Sequence, residues 1–197
     1  MIPIFDNGHG GVIDGKYQTA GKRSPDWECG VLYEGAFNRW IVNAIIEELD
    51  KLGKPYYHAC PELTDISLVE RVKRANQFYK ESGKKAYLIS IHANAGGGTG
   101  WEIFTSPGQT SSDPIAEKFA QGFMNDLKGH KARVDKRDGD LDKEENFYVL
   151  TKTAGPALLV EVAFMDNKED YKKLWDADFR ATVVNSLLKT ILSLYCD

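Results

Sequence analysis

The sequence predicts an α/β fold in a single domain, with a twisted, mostly parallel sheet flanked by helices. Two observations predict this fold. Short apolar segments alternate along the chain with longer segments in which apolar residues recur at helical spacing. The chain has 197 residues, 42% of them hydrophobic, which is enough for one hydrophobic core and fits one domain of ordinary size.

A long loop separates the first predicted strand from the first predicted helix. Residues 2–5 form a short apolar run that stops at the polar, Gly-rich residues 6–11, as is typical of a buried strand ending in a turn. Residues 12–33 are rich in Gly, Asp, Lys and Ser, and we interpret them as a loop. The helix that follows ends at Gly53, and its apolar residues are Phe37, Trp40, Ile41, Ala44, Ile45, Leu49 and Leu52.

A second strand and helix begin near residue 55. Residues 55–60 are a strand candidate, and Ser67 with Glu70 forms the sequence of a capping box, which predicts an amphipathic helix that runs to Gly83. The remaining predicted elements, in chain order, are strands over residues 87–91 and 101–105, a helix from Pro114 to Leu127, an exposed loop or hairpin over residues 129–146, a strand over residues 157–163 and a helix over residues 178–195.

The composition argues against several kinds of partner. The net charge is −4 and no long block of Lys and Arg occurs, so neither nucleic acid nor an anionic membrane is favoured. No apolar run approaches the length of a membrane span, and the N-terminal residues lack the basic and apolar regions of a signal peptide. Because Cys29, Cys60 and Cys196 have no CxxC spacing, we expect reduced thiols.

Two histidines follow predicted strands. His9 lies in the turn after residues 2–5, and His92 comes directly after residues 87–91. Ligands of open α/β sheets bind outside the carboxyl ends of the strands, so both imidazoles can point into one crevice. A single histidine beside a Gly-rich turn is typical of a hydrogen-bonded loop residue, but two at strand ends with small neighbours favour a metal site at the carboxyl ends of the strands.

Two acidic residues are candidates to work with these histidines. Catalytic zinc often has two His ligands and one Glu, and we choose Glu34 as the third ligand, although on spacing alone the simpler interpretation is an acid favoured by the dipole of the helix that it starts. Glu161 interrupts the apolar residues 157–163, where an unpaired carboxylate is costly, so we expect it to meet an Arg, a metal or a reacting water. We interpret His58 and His130 as non-ligands.

Four sequence motifs occur in order along nearly the whole chain. Residues 6–11 form an Asp-x-Gly-His-Gly-Gly turn with Asn7 at its second position, and residues 68–76 follow the pattern Leu-x-x-Arg-x-x-x-Ala-Asn. Residues 90–94 read Ser-Ile-His-Ala-Asn, and residues 156–161 read Pro-Ala-Leu-Leu-Val-Glu. Together these motifs resemble the type 3 family of N-acetylmuramoyl-L-alanine amidases, zinc enzymes found among autolysins and phage endolysins, in which Pro usually stands at the position of Asn7.

This resemblance implies a function and a set of site residues. It implies hydrolysis of the amide bond between N-acetylmuramic acid and L-alanine in bacterial peptidoglycan, with Zn²⁺ as cofactor. His9, Glu34 and His92 are the implied zinc ligands, and Glu161 is the implied catalytic carboxylate. Two positions depart from the family pattern: the loop before Glu34 is longer than usual, and Thr151 stands where many members have Arg.

The same resemblance sets the expected organisation of the protein. We expect residues 1–197 to form one zinc-dependent amidase catalytic domain without a separate wall-binding module. We expect a monomer that acts on the cell wall after release from the cytoplasm or after removal of a signal. Two alternatives stay open: a metallopeptidase that cuts within the peptidoglycan stem peptide, and an inactive homologue that binds the wall or regulates an enzyme.

Overall fold

A six-stranded sheet forms the centre of the protein. The computed structural model describes residues 1–135 and 139–196. The strands of the sheet are β1 (Ile2–Asn7), β4 (Tyr57–His58), β5 (Ala86–Asn94), β6 (Glu102–Thr105), β7 (Lys143–Glu144) and β8 (Ala157–Phe164). Their order is β4-β1-β5-β8-β6-β7, and every neighbouring pair is parallel except β6 with β8. The predicted mostly parallel sheet is therefore confirmed.

Helices cover both faces of this sheet. They are α1 (Glu34–Lys51), α2 (Leu68–Glu81), α3 (Asp113–Asp126), α4 (Tyr148–Thr151), α5 (Lys168–Trp175) and α6 (Ala177–Leu194). On one face, α1, α3, α5 and α6 pack against alternate strand residues such as Phe5 and Ile89. On the other face, α2 and α4 pack against Ile4, Leu88 and their neighbours. Strands that are buried on both faces explain the continuous apolar runs in the sequence.

The ends of the first two helices follow their sequence signals. α1 stops two residues before Gly53, which has a φ of 61° that an L-residue adopts only at a cost. Ser67 caps α2 by accepting a hydrogen bond of 3.3 Å from the backbone N–H of Glu70. The Glu70 carboxylate pairs with Lys73 and Arg74. Of the two hydrogen bonds that define a capping box, the structure therefore shows the one that Ser67 Oγ accepts.

Several elements differ from the sequence prediction. Residues 12–33 are not a loop throughout, because they contain an antiparallel hairpin of β2 (Val12–Ile13) and β3 (Lys16–Tyr17). The strand candidate at residues 55–60 is reduced to the two residues of β4, which pair only with β1 at the edge of the sheet. β5 continues three residues beyond the predicted end at residue 91, so His92 lies inside a strand.

The charged segment at residues 129–146 is only partly an exposed loop. It contributes β7 to the sheet, and His130, Leu141 and Asp142 are buried. Residues 136–138 of the predicted loop lie outside the described residues. The eight-residue α5 was not predicted, because Tyr171 and Leu174 are too few to form a helical apolar pattern. Among the helices that the structure describes, each is too short or too polar to cross a membrane.

Candidate metal centre and active site

Three predicted site residues meet at the carboxyl edge of the sheet. His9 follows β1, His92 lies near the end of β5, and Glu34 is the first residue of α1. Glu34 Oε1 lies 3.2 Å from His9 Nε2 and 2.9 Å from His92 Nδ1. The two imidazole rings are perpendicular, with centroids 5.1 Å apart. The structure therefore brings His9, Glu34 and His92 together, as the sequence analysis expected.

The backbone at His9 is held in an uncommon conformation. His9 has a φ of 67°, a left-handed value that costs a non-glycine residue free energy. Its carbonyl oxygen accepts hydrogen bonds from Arg39 Nη1 at 2.8 Å and from Arg71 Nη2 at 3.2 Å. These two guanidinium groups, one from α1 and one from α2, stabilise the turn that carries the imidazole.

Close backbone approach explains two glycines beside the cluster. A Cβ atom at Gly35 would lie 2.0 Å from the carbonyl oxygen of Gly10, so only glycine lets the start of α1 reach the His9 turn. A Cβ atom at Gly8 would lie 2.1 Å from Cε1 of His92, so a side chain there would displace the imidazole. The Gly-rich turn thus makes room for both the helix and the second histidine.

The electrostatics of the cluster favour a negative Glu34 between two imidazoles. Burial raises the pKa of Glu34, but hydrogen bonds to His9 and His92 and their charges outweigh burial and lower that pKa to about 2. Burial lowers the pKa of His92, but its hydrogen bond to Glu34 and the charge of Glu161 outweigh burial and raise it. Glu34 is therefore an ionised carboxylate that positive charge beside it stabilises.

These three residues fit a zinc ion. Two imidazole nitrogens and one carboxylate are a common donor set of catalytic zinc, which leaves a fourth position for water. One donor atom from each residue lies within 4.8 Å of the others. Within the described part of the chain, no other group of three His, Cys, Asp or Glu donors lies this close together.

Glu161 lies beside this cluster on the neighbouring strand β8. It is opposite His92 in the parallel pairing of β5 and β8, and opposite Glu102 in the antiparallel pairing of β6 and β8. Its Oε2 atom is buried and has no hydrogen-bond partner among the described residues. Burial raises its pKa to about 7; the negative charges of Glu34 and Glu102 also raise it, against the opposing charges of His92 and Lys22. Such a group can accept or release a proton near neutral pH.

A cavity of about 660 Å³ opens over these four residues. His9, Glu34, His92 and Glu161 all line it. The lining also includes apolar and aromatic residues, which are Ile66, Leu68, Phe147, Tyr148 and Val149. Polar side chains, among them those of Lys22 and Asn94, line it as well. The cavity is large enough for part of a ligand that has both apolar and polar groups.

The other two histidines lie outside the cluster. His58 Nε2 is 2.5 Å from Asn7 Oδ1, and His130 Nε2 is 3.0 Å from the carbonyl oxygen of Val162. Burial and the charge of Arg39 lower the pKa of His58 to about 4, so it is neutral near pH 7. Both rings have protein partners, in agreement with their interpretation as non-ligands.

Three buried polar residues, to which the sequence motifs assign no role, lie behind the cluster. Asp6, Arg71 and Ser90 are all buried, and they are linked by hydrogen bonds to one another and to the site. Asp6 and Ser90 gave a usable signal, since a charged or polar residue in an apolar strand requires partners. Which partners they have depends on the pairing of β1 with β5, and the sequence alone does not give that register.

Comparison with known proteins supports the same family as the motifs. The model of the Amidase_3 family, described as N-acetylmuramoyl-L-alanine amidase, matches residues 4–193. The N-acetylmuramoyl-L-alanine amidase CwlM of Bacillus licheniformis is 38% identical over 119 residues, which are 58% of this chain and 40% of that protein. The endolysin of Bacillus phage SPP1 is 24% identical over 172 residues, covering 84% of this chain and 55% of that protein.

A solved structure has the same fold. The crystal structure of N-acetylmuramoyl-L-alanine amidase from Clostridium difficile 630 superposes with a TM-score of 0.80 at 24% identity, covering 100% of this chain and 97% of that chain. The chain spans less than half the length of the CwlM relative that it matches. Because the family model covers almost every residue, the chain belongs to the N-acetylmuramoyl-L-alanine amidase family Amidase_3.

Proposed function

We propose that this chain is a zinc-dependent N-acetylmuramoyl-L-alanine amidase that cuts the bond between N-acetylmuramic acid and L-alanine in peptidoglycan. One observation carries the proposal: Glu161 Oε2, which has no hydrogen-bond partner in the described part of the chain, lies beside a compact His9, Glu34 and His92 cluster, in a cavity that can admit a substrate. Family membership supports the identity of the substrate.

His9, Glu34 and His92 are the residues that would hold the metal. When bound, zinc supplies a Lewis acid that lowers the pKa of a coordinated water and polarises the amide carbonyl. Arg39 and Arg71 keep the His9 turn in place through its carbonyl oxygen, so the imidazole stays directed at Glu34. The protein thus presents its donors in a fixed arrangement before substrate arrives.

Glu161 would act as the proton carrier of the reaction. A water attacks the amide carbon while Glu161 accepts its proton, and Glu161 then delivers that proton to the departing amine. The C–N bond breaks, and the products are the lactyl carboxylate of N-acetylmuramic acid and a stem peptide with a free L-alanine amine. A pKa of about 7 suits a group that must both accept and release a proton.

We also propose that residues 1–197 form one catalytic domain, without a second wall-binding module among them, that works as a monomer on the cell wall. Two facts support the single domain. Elements from both ends of the chain pack in one core, since β1 lies in the central sheet and α6 covers it. The family match also extends from residue 4 to residue 193.

The test is digestion of purified sacculi followed by mass spectrometry of the soluble products. We expect intact stem peptides that begin with L-alanine, loss of this product after chelation, and its return when zinc is added back. Products cut within the stem peptide would instead identify a metallopeptidase. A zinc-loaded protein that releases no product from sacculi would identify an inactive homologue.

A further inference from the structure

A chain of buried hydrogen bonds lies behind His92, on the side away from Glu34. His92 Nε2 is 3.1 Å from Ser90 Oγ, and Ser90 Oγ is 2.6 Å from Asp6 Oδ2. Asp6 and Ser90 are directly opposite in the parallel pairing of β1 and β5, and both are buried. Ser90 and His92 are two residues apart in β5, so their side chains lie on the same face of the sheet.

The donors and acceptors of this chain determine where each hydrogen lies. Asp6 forms a buried ion pair with Arg71, so it is an ionised carboxylate and can only accept hydrogen bonds. Ser90 has one hydroxyl hydrogen, and it donates that hydrogen to Asp6. The Ser90 oxygen can then only accept from His92, which requires a hydrogen on Nε2.

A hydrogen on Nε2 leaves the lone pair of the neutral imidazole on Nδ1. Nδ1 is the atom that faces Glu34 Oε1, at 2.9 Å. A lone pair and a carboxylate oxygen at this distance repel each other unless positive charge lies with them. We propose that Asp6 and Ser90 are positioning residues that hold His92 as the Nε2–H tautomer and so make Nδ1 its metal-binding atom. This inference rests on the proposed role of His92 as a zinc ligand.

The same ion pair also reaches the other histidine. Arg71 donates from Nη1 to the carbonyl oxygen of Asn7 at 2.9 Å and from Nη2 to that of His9 at 3.2 Å. Asp6 thus lies on the path to both imidazoles, whereas the Ser90 hydroxyl lies only on the path to His92. Removal of the Ser90 hydroxyl therefore tests the effect on His92 alone, because it leaves the Asp6–Arg71 pair and the His9 turn in place.

The experiment compares Ser90→Ala with two other serine variants. Ser90→Thr keeps a hydroxyl at the same position and should restore the wild-type behaviour. Ser186→Ala is the matched control, because Ser186 is a buried serine of α6 whose Oγ has no hydrogen-bond partner among the described residues. Two properties are measured: the zinc dissociation constant by competition with a chelating dye, and the protonation and metal coordination of the two His92 ring nitrogens by ¹⁵N NMR of the zinc-bound protein.

In the zinc-bound wild type we expect His92 to carry its hydrogen on Nε2 and to bind the metal through Nδ1, whereas Ser90→Ala should lose this preference and populate both tautomers. Zinc binding of Ser90→Ala should weaken by about 10- to 100-fold, the usual effect of losing a partner of a metal-bound histidine. A Ser90→Ala protein with wild-type tautomer and affinity would overturn the inference, as would an equal loss in Ser186→Ala. If the wild-type protein binds no zinc, the proposed function and this inference fail together; if it binds zinc through Nδ1 and Ser90→Ala matches it, only the inference fails.

Discussion

Glu102 and Glu161 face each other across the antiparallel pair β6–β8, but their carboxylates have opposite surroundings. Glu102 accepts hydrogen bonds from Asn94 at 2.5 Å, from Arg133 at 2.8 Å and from Lys143 at 2.7 Å. Glu161 Oε2 has no partner within the described residues. Glu102 therefore binds the nearby cations, which leaves Oε2 of its neighbour available for the proton transfer that we propose.

The first prediction concerns the proton-carrying role of Glu161. Glu161→Gln should lower the rate of amide hydrolysis by at least about 100-fold, because the amide cannot take a proton from water. The variant should keep its fold and its zinc, since Glu161 is outside the ligand cluster. Release of soluble stem peptide from sacculi and metal content measure the two properties. Glu145→Gln serves as control, because Glu145 is an exposed acid on a neighbouring segment. Near-normal activity of Glu161→Gln would refute the proposed role of Glu161.

The second prediction concerns the structural role of Glu102. Glu102→Gln removes the buried negative charge that Arg133 and Lys143 share, and we expect a loss of about 1–3 kcal/mol in the free energy of unfolding. Glu70→Gln is a useful comparison, because Glu70 also pairs with two cations but on the surface of α2, where solvent screens such pairs and they contribute little to stability. Urea denaturation of both variants measures the difference, and equal losses would contradict the prediction.

The order of helices and strands could be predicted because long amphipathic segments show their period in the sequence. The helical spacing of the seven apolar positions from residue 37 to residue 52 predicts α1, and the apolar face at residues 179–194 predicts α6. Short elements carry no such period. The β2–β3 hairpin has two residues in each strand, and α5 buries only one face of two turns, so tertiary contacts decide their structure.

The candidate site could be predicted in part. His9 and His92 follow from the rule that parallel strands present their carboxyl ends at one edge, and Glu161 stands out as an acid in an apolar run. Glu34 could not be distinguished in the sequence from an ordinary acid in the first turn of a helix. It reaches the histidines because Gly35 allows the start of α1 to pack closely against the His9 turn, and this contact is not visible in the sequence. The hydrogen bond from Ser90 to Asp6 depends on strand register, which no local pattern contains.

The third prediction concerns the dependence of stability on pH through Asp142. Burial raises the pKa of this carboxyl to about 7, and the charges of Asp140 and Asp113 add to the effect against a hydrogen bond from Thr105. A folded pKa above the ordinary value of 3.8 means that the folded protein holds a proton that the unfolded chain has released. The contribution of Asp142 to stability therefore falls as the pH rises from about 4 to about 7.

Asp142→Asn removes this titration and keeps an oxygen that can accept from Thr105 Oγ1, which is 2.6 Å from the carboxylate. We expect the variant to gain stability relative to the wild type as the pH rises across that interval. Unfolding by urea at a series of pH values measures the difference between the two proteins. A difference that stays constant with pH would show that Asp142 titrates at its ordinary pKa.

The last prediction separates zinc binding from proton transfer. Zinc at about 100 times its dissociation constant stabilises a protein that binds it only when folded by about 2.7 kcal/mol, which raises the melting temperature. Glu34→Gln should abolish most of this increase, because the buried carboxylate oxygen shared by the two imidazoles is replaced by a neutral amide. Glu161→Gln should retain the increase although its activity is lost.

His58→Gln is the matched control, since His58 is a half-buried histidine that contacts Asn7 instead of the cluster. Thermal unfolding with and without zinc measures all four proteins, and a full increase in Glu34→Gln, or its loss in His58→Gln, would show that the metal binds elsewhere.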